Sequence, residues 1–332
     1  MPKFRIVTPA GASFSTVGGG YAHEMEALEG LDAEIVECPA TQEGFITAAR
    51  DADAVYAKGM KFNAQMIQAL DKCRLIALGT VGVDYVDVAA ATEKGIPVTN
   101  CPDTFIEEVA DHAMMLLLAT HRRAIEQDRM VREGRWAEGR PQLLKVPRLM
   151  GQTLGFIAFG RVARAVAERA RPFGLRMLAH DPFLDELNIS ALGVEPASLS
   201  EVLSRSDFIS MHLPATPEAV GFLKEQHFRQ MKPNAIFINT GRGPTVNEPA
   251  LIKALQQRTI LTAGLDVYAN EPHVPAELIA MDHVVLFPHV GSASIHTRRA
   301  MEQLVVDNLA AWNAGKPPLT PVPETPVPAR RQ

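Results

Sequence analysis

The chain reads as an α/β protein of two doubly wound parallel-sheet domains. Three observations predict this. Short β-like apolar runs alternate with helical patterns from the N-terminus onward, the alternation restarts after a densely apolar helix, and 332 residues suffice for two cores.

The first series contains strand candidates at Phe4–Thr8, Ala33–Glu37, Ala54–Ala57, Leu75–Leu78 and Pro97–Asn100. Helical patterns such as Gly44–Arg50 and Ala64–Leu70 lie between them, as crossovers between parallel strands require. From Glu107 to Arg123 the apolar residues crowd too densely for a solvated face. That pattern predicts a helix buried on several sides, at a domain junction or a subunit interface, and it points to a homodimer. A polar, proline-containing loop is expected around Gly134–Arg148.

The second series supplies strand candidates Leu154–Phe159, Leu175–His180, Asp207–His212, Ala235–Asn239, Leu261–Val267 and Val284–Phe287. Six strands with crossovers match a dinucleotide-binding domain. Ser294–Ala314 reads as a helix returning to the first domain, and the Pro-rich end as an extended or disordered tail. The domains expected are therefore 1–102 with 296–316 for substrate, 103–295 for dinucleotide, and a tail at 317–332.

Composition narrows the function classes. The chain is 47% apolar and 21% charged with a net charge of −5, so it has no basic footprint for nucleic acid. The longest apolar run, Ala113–Thr120, is far short of the ~20 residues needed to span a bilayer. Cys38, Cys73 and Cys101 form no CxxC pair, which suits reduced thiols, and the N-terminus begins directly as a strand; a cytoplasmic protein is expected.

The chemistry resides in polar residues that follow the apolar runs. Gly160, Arg161 and Val162 follow the first strand of the second series and open an amphipathic helix. Gly160 stands where a fingerprint glycine lets the backbone approach a pyrophosphate, whereas Ala158 replaces the glycine of the tight turn. Asp181 ends the next strand at the ~20-residue spacing of a ribose-binding acid. A carboxylate there accepts the ribose hydroxyls and repels a 2′-phosphate, which favours NADH over NADPH.

Arg242, Glu271 and His289 each come after a later strand, and each alone has a plain structural reading. Delivered together to one crevice, they suit reduction of a 2-keto acid. The Arg242 fork holds carboxylate and ketone oxygens. His289, with an ordinary pKa of ~6.5, gives the proton. Glu271 orients the ring. His273, His283 and His296 lack metal-type pairing, so no metal is expected.

The stretches GVDYVDVAAAT (82–92), EVADHA (108–113), INTGRG (238–243), GLDVYANEP (264–272) and PHVGS (288–292) together resemble the D-isomer-specific 2-hydroxyacid dehydrogenase family over roughly residues 3–315. Thr80 before Val81-Gly82 and the run following His289 look similar to its glyoxylate/hydroxypyruvate reductase branch. The resemblance implies a Rossmann NAD-binding domain inserted in a flavodoxin-like substrate domain. It assigns Arg242, Glu271 and His289 as the catalytic residues and Asp266 to the nicotinamide carboxamide. Thr240, Gly241 and Gly291 join the cofactor lining, with Arg242 and His289 beside them. The substrate carboxylate is assigned to Val81 and Gly82, with Lys58, Gly59 and Met60, alongside Arg242 and His289. The expected partner is a small anionic 2-keto or 2-hydroxy acid, with Leu143-Leu144 of a neighbouring subunit as a further pocket contribution.

Two other readings stay open on sequence. The family also contains an NAD-sensing co-repressor branch, against which stands the shortness of the tail. Formate or phosphite oxidation is the other; formate-oxidising relatives carry glutamine where this chain has Glu271.

Overall fold

The computed structural model describes residues 3–11, 21–323 and 325, with the side chains of 142 and 143 excepted. The chain divides into two compact units, Met1–Thr104 with Ala293–Gln332, and Phe105–Ser292.

The first unit is built on a five-stranded sheet: β1 (Phe4–Pro9), β2 (Ala33–Cys38), β3 (Ala54–Ala57), β4 (Ile76–Leu78) and β5 (Val98–Thr99). All pairings are parallel and the order is β2-β1-β3-β4-β5, the flavodoxin-like arrangement. Parallel strands are covered on both faces, and β3 and β4 are accordingly buried at every position. Val7, Val55, Ile76 and Leu78 pack with Phe45, Phe62, Met66 and Ile67 from the crossovers. The Phe45 and Phe62 rings meet edge to face at 5.0 Å. Burying side chains of this size contributes about 1.5–3 kcal/mol each.

Short helices are fixed by their caps. Thr41, Asn63 and Asp87 accept the N–H groups of Gly44, Met66 and Ala90, which satisfies donors that a helix start leaves orphaned. The late helix Ile295–Asn313, capped by Ser294, packs against helix Ala22–Ala27 and β4 of the same unit.

The Pro-rich tail, expected as extended or disordered, lies against β5 over its described part. Pro321 bridges Thr99 in antiparallel fashion and Val322 is buried. The Thr325 hydroxyl accepts the Val98 N–H at 3.2 Å and donates to the Val322 carbonyl at 2.8 Å. β5 is an edge strand with unpaired backbone groups, and this segment satisfies them. Residues 324 and 326–332 lie outside the described residues.

The second unit carries a seven-stranded sheet: β6 (Thr153–Ile157), β7 (Arg176–His180), β8 (Glu195–Pro196), β9 (Phe208–Met211), β10 (Ile236–Asn239), β11 (Thr262–Leu265) and β12 (Val285–Leu286). The order β12-β11-β10-β9-β6-β7-β8 is parallel throughout. Strand order reverses at β6, where one series runs outward through β7 and the other through β9, creating a switch point at the strands' carboxyl ends. Strand β8 has no counterpart in the sequence reading, because two residues, one of them charged, carry no apolar periodicity.

The apolar helix, Ile106–His121, is buried along much of its length. Ala110, Ala113, Leu116 and Leu117 face its own unit, where the helix packs on β10, β11 and helix Arg161–Ala170. Gly264 in β11 permits this approach, since a Cβ there would lie 3.1 Å from Thr120. The loop expected at 134–148 also contains a helix, Trp136–Leu143, with Pro141 inside it.

Candidate active site at the carboxyl ends of the second sheet

Gly160 caps the helix Arg161–Ala170 without a side-chain hydrogen bond, and a Cβ there would meet nothing within 4 Å. The space at Gly160 admits a close approach to the helix start, and the first turn of a helix carries N–H groups without intrahelical partners, the arrangement that receives phosphate oxygens. Ala158 retains the tight turn at φ 65°, in the left-handed region that glycine occupies without penalty.

Asp181 follows β7. Its Oδ2 accepts the Phe159 N–H at 2.9 Å and its Oδ1 the Phe183 N–H at 3.0 Å, which ties the acid to the β6 turn. Beside it lies a cavity of about 500 Å³ bounded by Asp181, Glu186, Glu201, His180, Ala197 and Ser198. Three carboxylates line this cavity, and no lysine or arginine does among the described residues. Thr240, at the end of β10, is buried, and its hydroxyl has no hydrogen-bond partner among the described residues. An open helix N-terminus, an acid at the ribose position and an orphaned hydroxyl fit a dinucleotide lying along these strand ends.

Arg242 follows β10 in a loop held from several sides. Asn239 Oδ1 accepts the Gly241 N–H at 3.0 Å, and the Thr245 hydroxyl donates to the Arg242 carbonyl at 2.6 Å. A Cβ on Gly243 would sit 1.9 Å from the Tyr268 carbonyl oxygen. Glycine is therefore what lets the Arg242 loop lie against the loop that carries Glu271.

Glu271 Oε1 accepts the Tyr268 N–H at 3.0 Å, and Oε2 lies 2.7 Å from His289 Nδ1. Burial pushes the Glu271 carboxyl upward. The His289 hydrogen bond, the Tyr268 N–H and the nearby charges of His289 and Arg242 outweigh it, so the group ends below its ordinary value. An ionised Glu271 fixes Nδ1 as the protonated nitrogen facing it and leaves Nε2 outside this hydrogen bond. Asp266 follows β11 and accepts the N–H groups of Val290 and Gly291. The Glu271 and His289 side chains are thus in direct contact, and the Arg242 loop lies against the loop that carries Glu271.

The remaining predicted residues lie in the first unit, after β3 and β4. Lys58 is 6% exposed; its Nζ stands 3.9 Å from Glu24 Oε1 and over the rings of Tyr21 and Tyr56 at 4.5 and 4.3 Å. Burial brings its pKa down to about 8 against the opposing pull of Glu24, Glu302 and Glu37. Gly59 turns the chain at φ 76°, and Met60 packs on the core. The Val81 carbonyl accepts from Asn100 at 2.7 Å, and the Gly82 carbonyl from the Thr80 hydroxyl at 2.8 Å. Sequence reasoning missed Glu24 and Glu302, whose burial only the tertiary structure reveals. Leu143 lies outside the described side chains, and Leu144 is exposed.

Comparison with known proteins agrees with this architecture. The model of the D-isomer specific 2-hydroxyacid dehydrogenase NAD-binding domain matches residues 114–291. A glyoxylate reductase of Korarchaeum cryptofilum is 40% identical over 291 residues, covering 87% of this chain and 88% of the relative. A hydroxyphenylpyruvate reductase of Plectranthus scutellarioides is 40% identical over 260 residues, 78% of this chain and 82% of its own. Among solved structures, the NADPH-dependent glyoxylate/hydroxypyruvate reductase of Sinorhizobium meliloti, in complex with NADP and malonate, superposes with a TM-score of 0.87 at 36% identity over the whole of both chains. With these matches and the two parallel sheets, the chain belongs to the D-isomer-specific 2-hydroxyacid dehydrogenase family of oxidoreductases.

Proposed function

We propose that the protein reduces a small 2-keto acid, glyoxylate or hydroxypyruvate foremost, to the D-2-hydroxy acid at the expense of NADH. The observation that carries this reading is the Glu271–His289 pair beside Arg242 at the strand ends of the dinucleotide-binding unit. NADH supplies the hydride that reaches C2 of the keto acid. The Arg242 guanidinium binds carboxylate and ketone oxygen and stabilises the charge that develops there. His289 gives its proton to the ketone oxygen, and Glu271 stabilises the imidazolium beforehand and holds the ring in place. In oxidation His289 takes the proton back.

The helix start at Gly160–Val162 would receive the pyrophosphate, Asp181 the ribose hydroxyls, and Thr240, Gly241, Asp266 and Gly291 the nicotinamide end. The Sinorhizobium meliloti relative is NADPH-dependent and holds NADP, so the nucleotide preference is a property of the individual chain. The preference for NADH rests on the acidic cavity beside Asp181, which would repel a 2′-phosphate. Lys58, Gly59, Met60, Val81 and Gly82 are assigned to the substrate carboxylate and its surroundings.

Exposed Ile125, Val131, Trp136, Leu144 and Met150 on one segment support a homodimer, the last two lying 87% and 64% open. Three unpaired buried cysteines suit a reducing compartment such as the cytoplasm. Steady-state turnover of a panel of 2-keto acids with NADH and NADPH tests the reading. Highest kcat/KM with glyoxylate or hydroxypyruvate and NADH is expected; NADH binding with no turnover of any keto acid would refute it.

A further inference from the structure

His289 has φ 54°, in the left-handed region that non-glycine residues avoid. Its loop must therefore be held in place, and two carboxylates share the work. Glu271 holds the ring. Asp266, 2% exposed, holds the backbone immediately beyond: Oδ1 accepts the Val290 N–H at 2.9 Å and Oδ2 the Gly291 N–H at 2.8 Å.

Asp266 has a third neighbour. His112, on the helix Ile106–His121, places Nε2 3.3 Å from Asp266 Oδ1, within ion-pair range although off the best hydrogen-bonding direction. Its ring meets Phe287 edge-on at 5.1 Å, at the entry to the His289 loop. There is no slack around this contact. A Cβ on Gly291 would lie 2.8 Å from Asp266 Oδ2 and 3.4 Å from His112 Cδ2. Asp266 is thus wedged between the His289 loop and His112, and a buried carboxylate is stable only while its partners stay in place.

We propose that His112 is a positioning residue for the reduction: through Asp266 it fixes the Val290–Gly291 backbone and with it the imidazole of His289. This rests on the role proposed above for His289. His112 acts through Asp266 rather than on the substrate, so its removal lowers kcat more than it weakens binding.

The test compares His112→Gln, whose amide reaches the place of Nε2, with His112→Asn, whose amide reaches only that of Nδ1. With glyoxylate and NADH, His112→Gln should keep kcat within about threefold of the parent and His112→Asn should lose about tenfold or more, with NADH affinity by fluorescence falling less than kcat in His112→Asn. Equal kcat in the two variants, or a loss confined to KM or NADH binding, would overturn the inference. In an Asp266→Asn background, His112→Asn should cost nothing further, whereas a full additive loss would contradict action through Asp266. The NMR resonance of the His289 ring reads position without turnover. It should shift in His112→Asn and stay in His112→Gln; an unmoved signal in both refutes the positioning role, while a parent that turns over no keto acid refutes the proposed reaction instead.

Discussion

His289 Nδ1 lies 2.7 Å from Glu271 Oε2, although the two residues follow different strands, β12 and β11. The pair is partly open, with side chains 36% and 27% exposed, so a substrate can reach the ring while the carboxylate keeps its orientation.

The ionised state of Glu271 has a consequence for stability. Its carboxyl is held below the ordinary range in the folded protein. A depressed carboxylate contributes stability that is complete above its unfolded value, about 4.3, and is lost as pH falls through the folded value. The melting-temperature advantage of the parent over Glu271→Gln should therefore be full at pH 6 and shrink below about pH 4. An advantage that grows on acidification would contradict the ionised assignment.

Lys58 gives the opposite dependence in binding. With a pKa of about 8 it is charged below that value and neutral above it. If it holds the substrate carboxylate, KM for glyoxylate should climb as pH rises past 8, and Lys58→Arg should flatten the climb because arginine stays charged. A parent KM constant from pH 7 to 9.5 would remove Lys58 from the substrate.

Replacing Arg242 by alanine should raise KM for keto acids and lower kcat together, with kcat/KM down by about two to three orders of magnitude. Lysine should recover only part of the loss, since it lacks the planar fork. Unaltered kinetics in Arg242→Ala would move the clamp elsewhere.

Asp181→Ala should erode discrimination against NADPH by about tenfold or more, through removal of the charge that faces a 2′-phosphate. The ratio of kcat/KM for NADH and NADPH reads this directly. An unchanged ratio would assign the preference to other groups.

Much of the fold was legible because its strands are buried on both faces and so read as unbroken apolar runs. Ala54–Ala57 and Ile76–Leu78 are clear cases. Helix Trp136–Leu143 was not legible, since Gly139 and Pro141 carry loop propensity that local context overrides. Arg242, Glu271 and His289 stood out because each is polar and follows an apolar run. His112 did not, because its partner Asp266 is remote in the chain and the apolar helix around it reads only as core. The tail read as extended or disordered because its prolines cannot join a sheet interior, and edge strand β5 pairs with Pro321 of it.

In the function proposed above, His289, oriented by Glu271, is the proton donor in keto-acid reduction. The most direct measurement is turnover of glyoxylate and hydroxypyruvate by His289→Ala at saturating NADH, with the NADH dissociation constant determined alongside. In His289→Ala, kcat should fall by about two to four orders of magnitude while NADH affinity stays within about threefold. Near-normal turnover in that variant would contradict it.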